Sequence, residues 1–106
     1  MDSTLDQDCP PVVVPEGAMA RELPIINRRG LHARASAKFV QTVERFDADV
    51  TVTRCGETVG GRSIMGLLTL AAAQGTTITV TVRGADASAC LQAIDDLLAN
   101  RFGEDE

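Results

Sequence analysis

One histidine occurs in the 106-residue chain, and its neighbours decide what it can do. His32 stands in Arg29-Gly30-Leu31-His32-Ala33-Arg34, after a glycine-containing loop and before a run with helical spacing. It should sit at or just before a helix N-terminus. Such a terminus presents unpaired backbone N–H groups and partial positive charge, which suit an anion. Arg34, on the first helical turn, adds a guanidinium that can fork onto phosphate. The backbone N–H groups of Ala33 and Arg34 would face the bound group, and Arg28 and Arg29 add long-range positive field. A neutral imidazole nitrogen is available near neutrality, because unperturbed histidine titrates at about 6.5. Phosphoryl transfer needs an in-line nucleophile and groups that hold the equatorial oxygens. One arginine and a set of helix amides would hold a phosphoryl group yet let it leave again. The segment points to a reversible phosphohistidine at His32.

A second stretch is Arg62-Ser63-Ile64-Met65-Gly66-Leu67. Ser63 precedes an apolar run, where a serine is an ordinary helix N-cap contributing ~1 kcal/mol. A phosphate on Ser63 would also be tolerated by the helix dipole with little refolding. On the helix that follows, Leu67, Leu70 and Ala71 can face a sheet. Ile64, Met65 and Leu68 then lie partly on the other side, towards His32. With Arg34, Ala37 and Gln41 they would make a small exposed apolar patch for partner docking.

The elements that must position these groups follow from periodicity. A short strand is expected over about 20–27, with Leu23, Ile25 and Ile26 as its apolar members, and Pro24 places it at a sheet edge or a bulge. From Ala33 to about Phe46, the spacings 33/37/40 and 39/43/46 describe one helical face. Val50 to Thr53 alternates as a half-buried strand, Cys55-Gly56-Glu57 turns tightly, and Thr58 to Gly60 returns. A short helix follows Ser63. Thr76 to Val82 alternates as the clearest strand. A last helix starts at Asp86 or Ser88, with Ala89, Cys90, Ala93, Ile94, Leu97 and Leu98 as its apolar face, and ends by Gly103. The order β-α-β-β-α-β-α predicts an α+β fold: an open-faced two-layer sandwich, with a four-stranded antiparallel sheet and three helices on one face.

Totals bound the rest. The length allows one domain. Residues 1–19 read as an acidic, disordered N-terminal tail, 20–103 as the folded domain, and 104–106 as an acidic C-terminal tail. Net charge is −5, yet residues 21–103 hold all ten basic residues against eight acids. A mildly basic body with acidic tails does not suit a nucleic-acid binder, and three phenylalanines are the only aromatics. No run approaches the roughly 18 apolar residues of a membrane span, and the acidic N-terminus lacks a secretory pattern. A cytoplasmic location is expected. Cys9, Cys55 and Cys90 are odd in number and widely spaced, so reduced thiols are expected and neither a disulfide framework nor a zinc site.

Gly30-Leu31-His32-Ala33-Arg34, followed by Ala37-Lys38-Phe39-Val40, resembles the active-site segment of HPr, the histidine-containing phosphocarrier of the bacterial phosphotransferase system. The Ser63 segment resembles the family's regulatory-serine segment, and the likeness runs from about Glu22 to Phe102. The resemblance implies the same open-faced sandwich and attack through Nδ1 of His32. It also implies loading by phosphoenolpyruvate-dependent enzyme I and delivery to IIA-type proteins, in a sugar-transport or nitrogen-regulatory branch. Such a protein is a stoichiometric carrier, a monomer with no metal or cofactor of its own. HPr kinase/phosphorylase would act on Ser63. One departure stands out: the family has proline after the arginine, and this chain has Ala35. The alternative is a non-catalytic regulatory adaptor acting through the Ser63 face.

Overall fold

In the computed structural model the described residues are 9–104. They form β1 (Met19–Pro24), α1 (Ala33–Val43), β2 (Asp49–Arg54), β3 (Glu57–Gly60), α2 (Ile64–Thr69), β4 (Thr77–Arg83) and α3 (Ala87–Ala99), then a 3₁₀ turn at Arg101–Gly103. All strand pairs are antiparallel, in the order β1-β4-β2-β3. Pro24 closes the edge strand β1, where its missing N–H leaves no second ladder incomplete.

Strand alternation sorts the sheet into two faces. Leu23, Val50, Val52, Ile78, Val80 and Val82 point to one side and are buried. Against them pack Ala35, Phe39, Val40 and Val43 of α1, Leu67 of α2, and Cys90, Leu91, Ile94 and Leu98 of α3. This is the expected α+β sandwich with its helices on one face. The opposite face carries Ala20 and Glu22 of β1, Thr51 and Thr53 of β2, Thr58 of β3, and Thr77, Thr79 and Thr81 of β4.

Several details depart from expectation. β1 ends at Pro24 and not near Asn27, since Ile25 bonds to Gly75 and Thr76 in the turn before β4, and Ala71, expected against the sheet, is exposed. The helix over 33–46 closes at Val43, because Arg45 and Phe46 donate to the carbonyls three residues back (Thr42 and Val43) and tighten the last turn. The buried stripe of α3 is Ala87, Cys90, Leu91, Ile94 and Leu98, so Leu91 replaces Ala89, which is exposed. The thiols depart as well. Cys9 and Cys55 are joined by a disulfide, with Cα atoms 4.5 Å apart, and only Cys90 is a free, buried cysteine among the described residues. Against the expected reduced thiols, Cys55 is oxidised and lies at the exposed tip of the β2–β3 turn. Of the tail expected over 1–19, residues 1–8 lie outside the described residues. Residues 9–15 run across the threonine face, where Pro10, Pro11, Val12, Val13 and Pro15 line a space shared with Thr51, Thr53, Thr58 and Thr81.

Candidate functional site

The loop before α1 is fixed by backbone geometry. Gly30 has φ +69°, and a Cβ there would lie 2.5 Å from the Ala72 carbonyl oxygen, so glycine alone fits. That close approach lets Leu31 N–H donate to Ala72 C=O at 2.9 Å and binds the loop to the segment after α2. His32 follows as the N-cap of α1 in extended conformation, its carbonyl accepting from Ser36 N–H at 2.8 Å. No side chain caps this end, and the amides of Ala33, Arg34 and Ala35 donate to no backbone acceptor among the described residues. An 11-residue helix therefore opens on three uncommitted donors beside the imidazole.

The His32 ring is half-buried, with its Nε2 hydrogen-bonded to Oε2 of Glu104. The other oxygen, Oε1, accepts from Asn27 Nδ2 at 3.2 Å, and the same Nδ2 donates to Gly30 C=O at 2.8 Å. Asn27 is fully buried, so it is a fixed post for the carboxylate. Glu104 reaches the site because the chain after α3 reverses sharply. Arg101, Phe102 and Gly103 all have positive φ, and Phe102 plugs into the core. Lys38 Nζ on α1 then donates to the Phe102 carbonyl at 2.6 Å. Burial pushes the Glu104 carboxyl up, but hydrogen bonds from His32 and Asn27, with the charges of His32 and Arg29, outweigh it and hold the group below its ordinary value.

This contact decides which ring nitrogen is available. A carboxylate accepts and cannot donate, so in the neutral ring Nε2 carries the proton and Nδ1 keeps the lone pair. Beside the ring lies a depression of about 230 Å³ lined by Arg29, Leu31, His32 and Ala71 to Ala73. Arg34 is exposed and makes no ion pair among the described residues. Ala35, where the family has proline, is the third helical residue and fully buried.

Ser63 is exposed and caps α2, its Oγ accepting from Gly66 N–H at 2.9 Å. Ile64 and Met65 are exposed, Met65 at 73%, and Leu68 is half-buried. Arg34, Ala37 and Gln41 keep solvent exposure on α1, which packs beside α2. The structure thus places His32 at the amides that open α1, and brings Asn27, Lys38, Phe102 and Glu104 around it, none of them among the expected site residues. Among the described residues, no three His, Cys, Asp or Glu side chains converge as metal ligands would. No helix among them is long and apolar enough to cross a membrane.

Fold and site together define a small open-faced sandwich built to present one oriented imidazole at a bare helix N-terminus. A family model described as "PTS HPr component phosphorylation site" matches residues 19–100. The chain belongs to the HPr phosphocarrier family of the phosphotransferase system. It is 48% identical over 88 residues to the phosphocarrier protein HPr of Neisseria meningitidis, covering 83% of this chain and 99% of that protein. It is 46% identical over 87 residues to HPr of Xylella fastidiosa, covering 82% and 98%. Among solved structures, HPr-C-His from Thermoanaerobacter tengcongensis superposes with a TM-score of 0.79 at 34% identity, over 83% of this chain and 99% of that one. HPr from Bacillus anthracis superposes at 0.73 and 37% identity, over 76% and 96%.

Proposed function

We propose that residues 20–103, with Glu104, form a cytoplasmic, monomeric phosphocarrier that accepts a phosphoryl group on Nδ1 of His32. The donor is phosphorylated enzyme I, and the acceptors are IIA-type proteins. The observation that carries this reading is the hydrogen bond from His32 Nε2–H to Glu104, which frees Nδ1 beside three uncommitted amides.

In the loading step Nδ1 attacks phosphorus in line, an N–P bond forms, and the bond to the donor breaks. The attacked imidazole still holds its Nε2 proton, so it becomes cationic as the N–P bond forms. Glu104 faces that charge from 14% side-chain exposure, where the attraction is less screened than in open water. The amides of Ala33, Arg34 and Ala35 and the guanidinium of Arg34 take the phosphoryl oxygens. Unloading reverses the step: a ring that keeps Nε2–H leaves as neutral imidazole, a better leaving group than an imidazolate. Strong clamping would defeat transfer, and helix amides with one arginine on the first helical turn hold the group without it.

Phosphorylation of Ser63 by an ATP-dependent kinase of the HPr kinase/phosphorylase type regulates docking. Ser63 is exposed at a helix start and stands next to Ile64 and Met65, so the added charge falls within the patch formed with Arg34, Ala37, Gln41 and Leu68. The test is incubation with phosphoenolpyruvate and a cognate enzyme I. An acid-labile, base-stable adduct that disappears in His32→Ala supports the carrier. Absence of that adduct leaves His32 without its role. With ATP and the kinase, an acid-stable adduct absent from Ser63→Ala supports the regulatory site.

A further inference from the structure

The threonine face of the sheet is not bare. Residues 9–15 lie across it, and Thr81, which points outward, is only 8% exposed beneath them. A Cβ added at Gly56 would lie 3.2 Å from Pro10 Cγ, so this segment packs down onto the β2–β3 turn. The disulfide is the covalent tie between this segment and the sheet. Ala18 N–H donates to Pro15 C=O, a bond that does not reach the sheet. Val13 is 86% exposed and Val14 44%, and no described residue before Leu23 belongs to the hydrophobic core.

Cys55 is also an unexpected residue for its place. Cys55 and Gly56 form a two-residue hairpin turn with φ of +49° and +85°, a geometry that favours asparagine or glycine at the first position. A cysteine is strained there. Its sulfur meets that of Cys9 across 46 residues. The third thiol, Cys90, is fully buried, and burial pushes it up and away from reactivity, so it does not compete.

We infer that Cys9 and Cys55 form a reversible thiol–disulfide site that clasps residues 9–15 over the open face of the sheet and releases them on reduction. The co-reactant is a low-molecular-weight thiol of the glutathione class. Its thiolate attacks the exposed Cys55 sulfur, the Cys9–Cys55 bond breaks, and Cys9 leaves as thiolate and takes up the proton the reagent lost. A second thiol attacks the reagent's sulfur in the mixed disulfide, releasing Cys55 as a protonated thiol and the oxidised reagent. Two reagent thiols are consumed and two protein thiols are made. The core takes no part, so the fold persists while the threonine face is uncovered.

The test uses the full chain in glutathione buffers stepped from reduced to oxidised, trapped with an alkylating reagent and read by peptide mass. Cleavage after Glu16 by a glutamyl endopeptidase follows the segment. The expected result is a Cys9–Cys55 peptide pair that forms and breaks reversibly, with cleavage about tenfold faster in the reduced chain. Cys55→Asn, which suits the turn, and Cys9→Ser should both be cleaved at the fast rate in every buffer while keeping the wild-type circular dichroism. Absence of the linked peptides, a linkage between two chains, or cleavage unaffected by reduction overturns the inference.

Discussion

Replacing Glu104 with glutamine probes the hydrogen bond that orients the imidazole. The substitution keeps size and shape but converts one acceptor into a donor. In the wild-type chain Asn27 Nδ2 donates to one carboxylate oxygen and His32 Nε2–H to the other, so both partners are donors. A glutamine can accept with its single oxygen from one of them, and its NH₂ must then face the other. Asn27 is fully buried and also tied to Gly30, so the oxygen goes to Asn27 and the NH₂ turns on the ring. The ring answers by moving its proton to Nδ1, the nitrogen required for attack. A lost buried acceptor of this kind costs about 1–3 kcal/mol. His32 and Glu104 keep 22% and 14% side-chain exposure, which favours the lower part of that range. About 1–2 kcal/mol corresponds to roughly 5- to 30-fold. The assay is competition: equal amounts of unlabelled wild type and ¹⁵N-labelled Glu104→Gln share a limiting quantity of phosphoenolpyruvate through catalytic enzyme I. At equilibrium the wild type should hold the larger share by that factor, and the ¹⁵N spectrum of the variant should show the Nδ1–H tautomer. Equal sharing with an unchanged ring spectrum would mean that Glu104 does not orient the ring.

Further outcomes follow from the same geometry. Glu104 is held below its ordinary value of 4.5, so its contribution to stability is complete above that pH and is lost as pH falls through the lower folded value. The stability gap between wild type and Glu104→Gln in urea unfolding should therefore be present near neutrality and shrink as pH falls below the ordinary carboxyl value of 4.5; a gap that widens on acidification contradicts the assignment. Gly30→Ala places a Cβ 2.5 Å from Ala72 O at φ +69° and should lower unfolding free energy by about 3 kcal/mol. A loss within error of zero in denaturant titration would mean that the loop adapts. Ala35→Pro sits at a helical position whose N–H has no backbone acceptor, and should raise stability by about 0.4–1 kcal/mol without preventing phosphorylation. A lower melting temperature would show that the buried site has no room for the ring.

What could be read from the chain before folding was whatever is local in it. Alternation of Ile78, Val80 and Val82 against threonines specifies both strand and face within seven residues. The glycine, histidine and arginine of the loop specify a helix start with a bare end. Phase errors arose where the residue is small: Ala89 fits an apolar stripe as easily as a solvent face, and Leu91 holds the core position instead. Long-range partners left no local trace. Glu104 meets His32 across 72 residues and resembles any acid in an acidic terminus. Its one clue was Phe102, a third of the chain's aromatics, placed two residues before it. Cys9 and Cys55 pair only because residues 9–15 fold back over the sheet, and spacing in an odd set of three cysteines encodes nothing of that path.

The most direct test of the central claim is the regiochemistry of the loaded chain. Phosphorus–nitrogen couplings in ¹⁵N-histidine-labelled protein, charged by enzyme I and phosphoenolpyruvate, identify the nitrogen that bears the group. Phosphorus is expected on Nδ1 of His32 with Nε2 protonated. Phosphorus on Nε2, the nitrogen bound to Glu104, would contradict it.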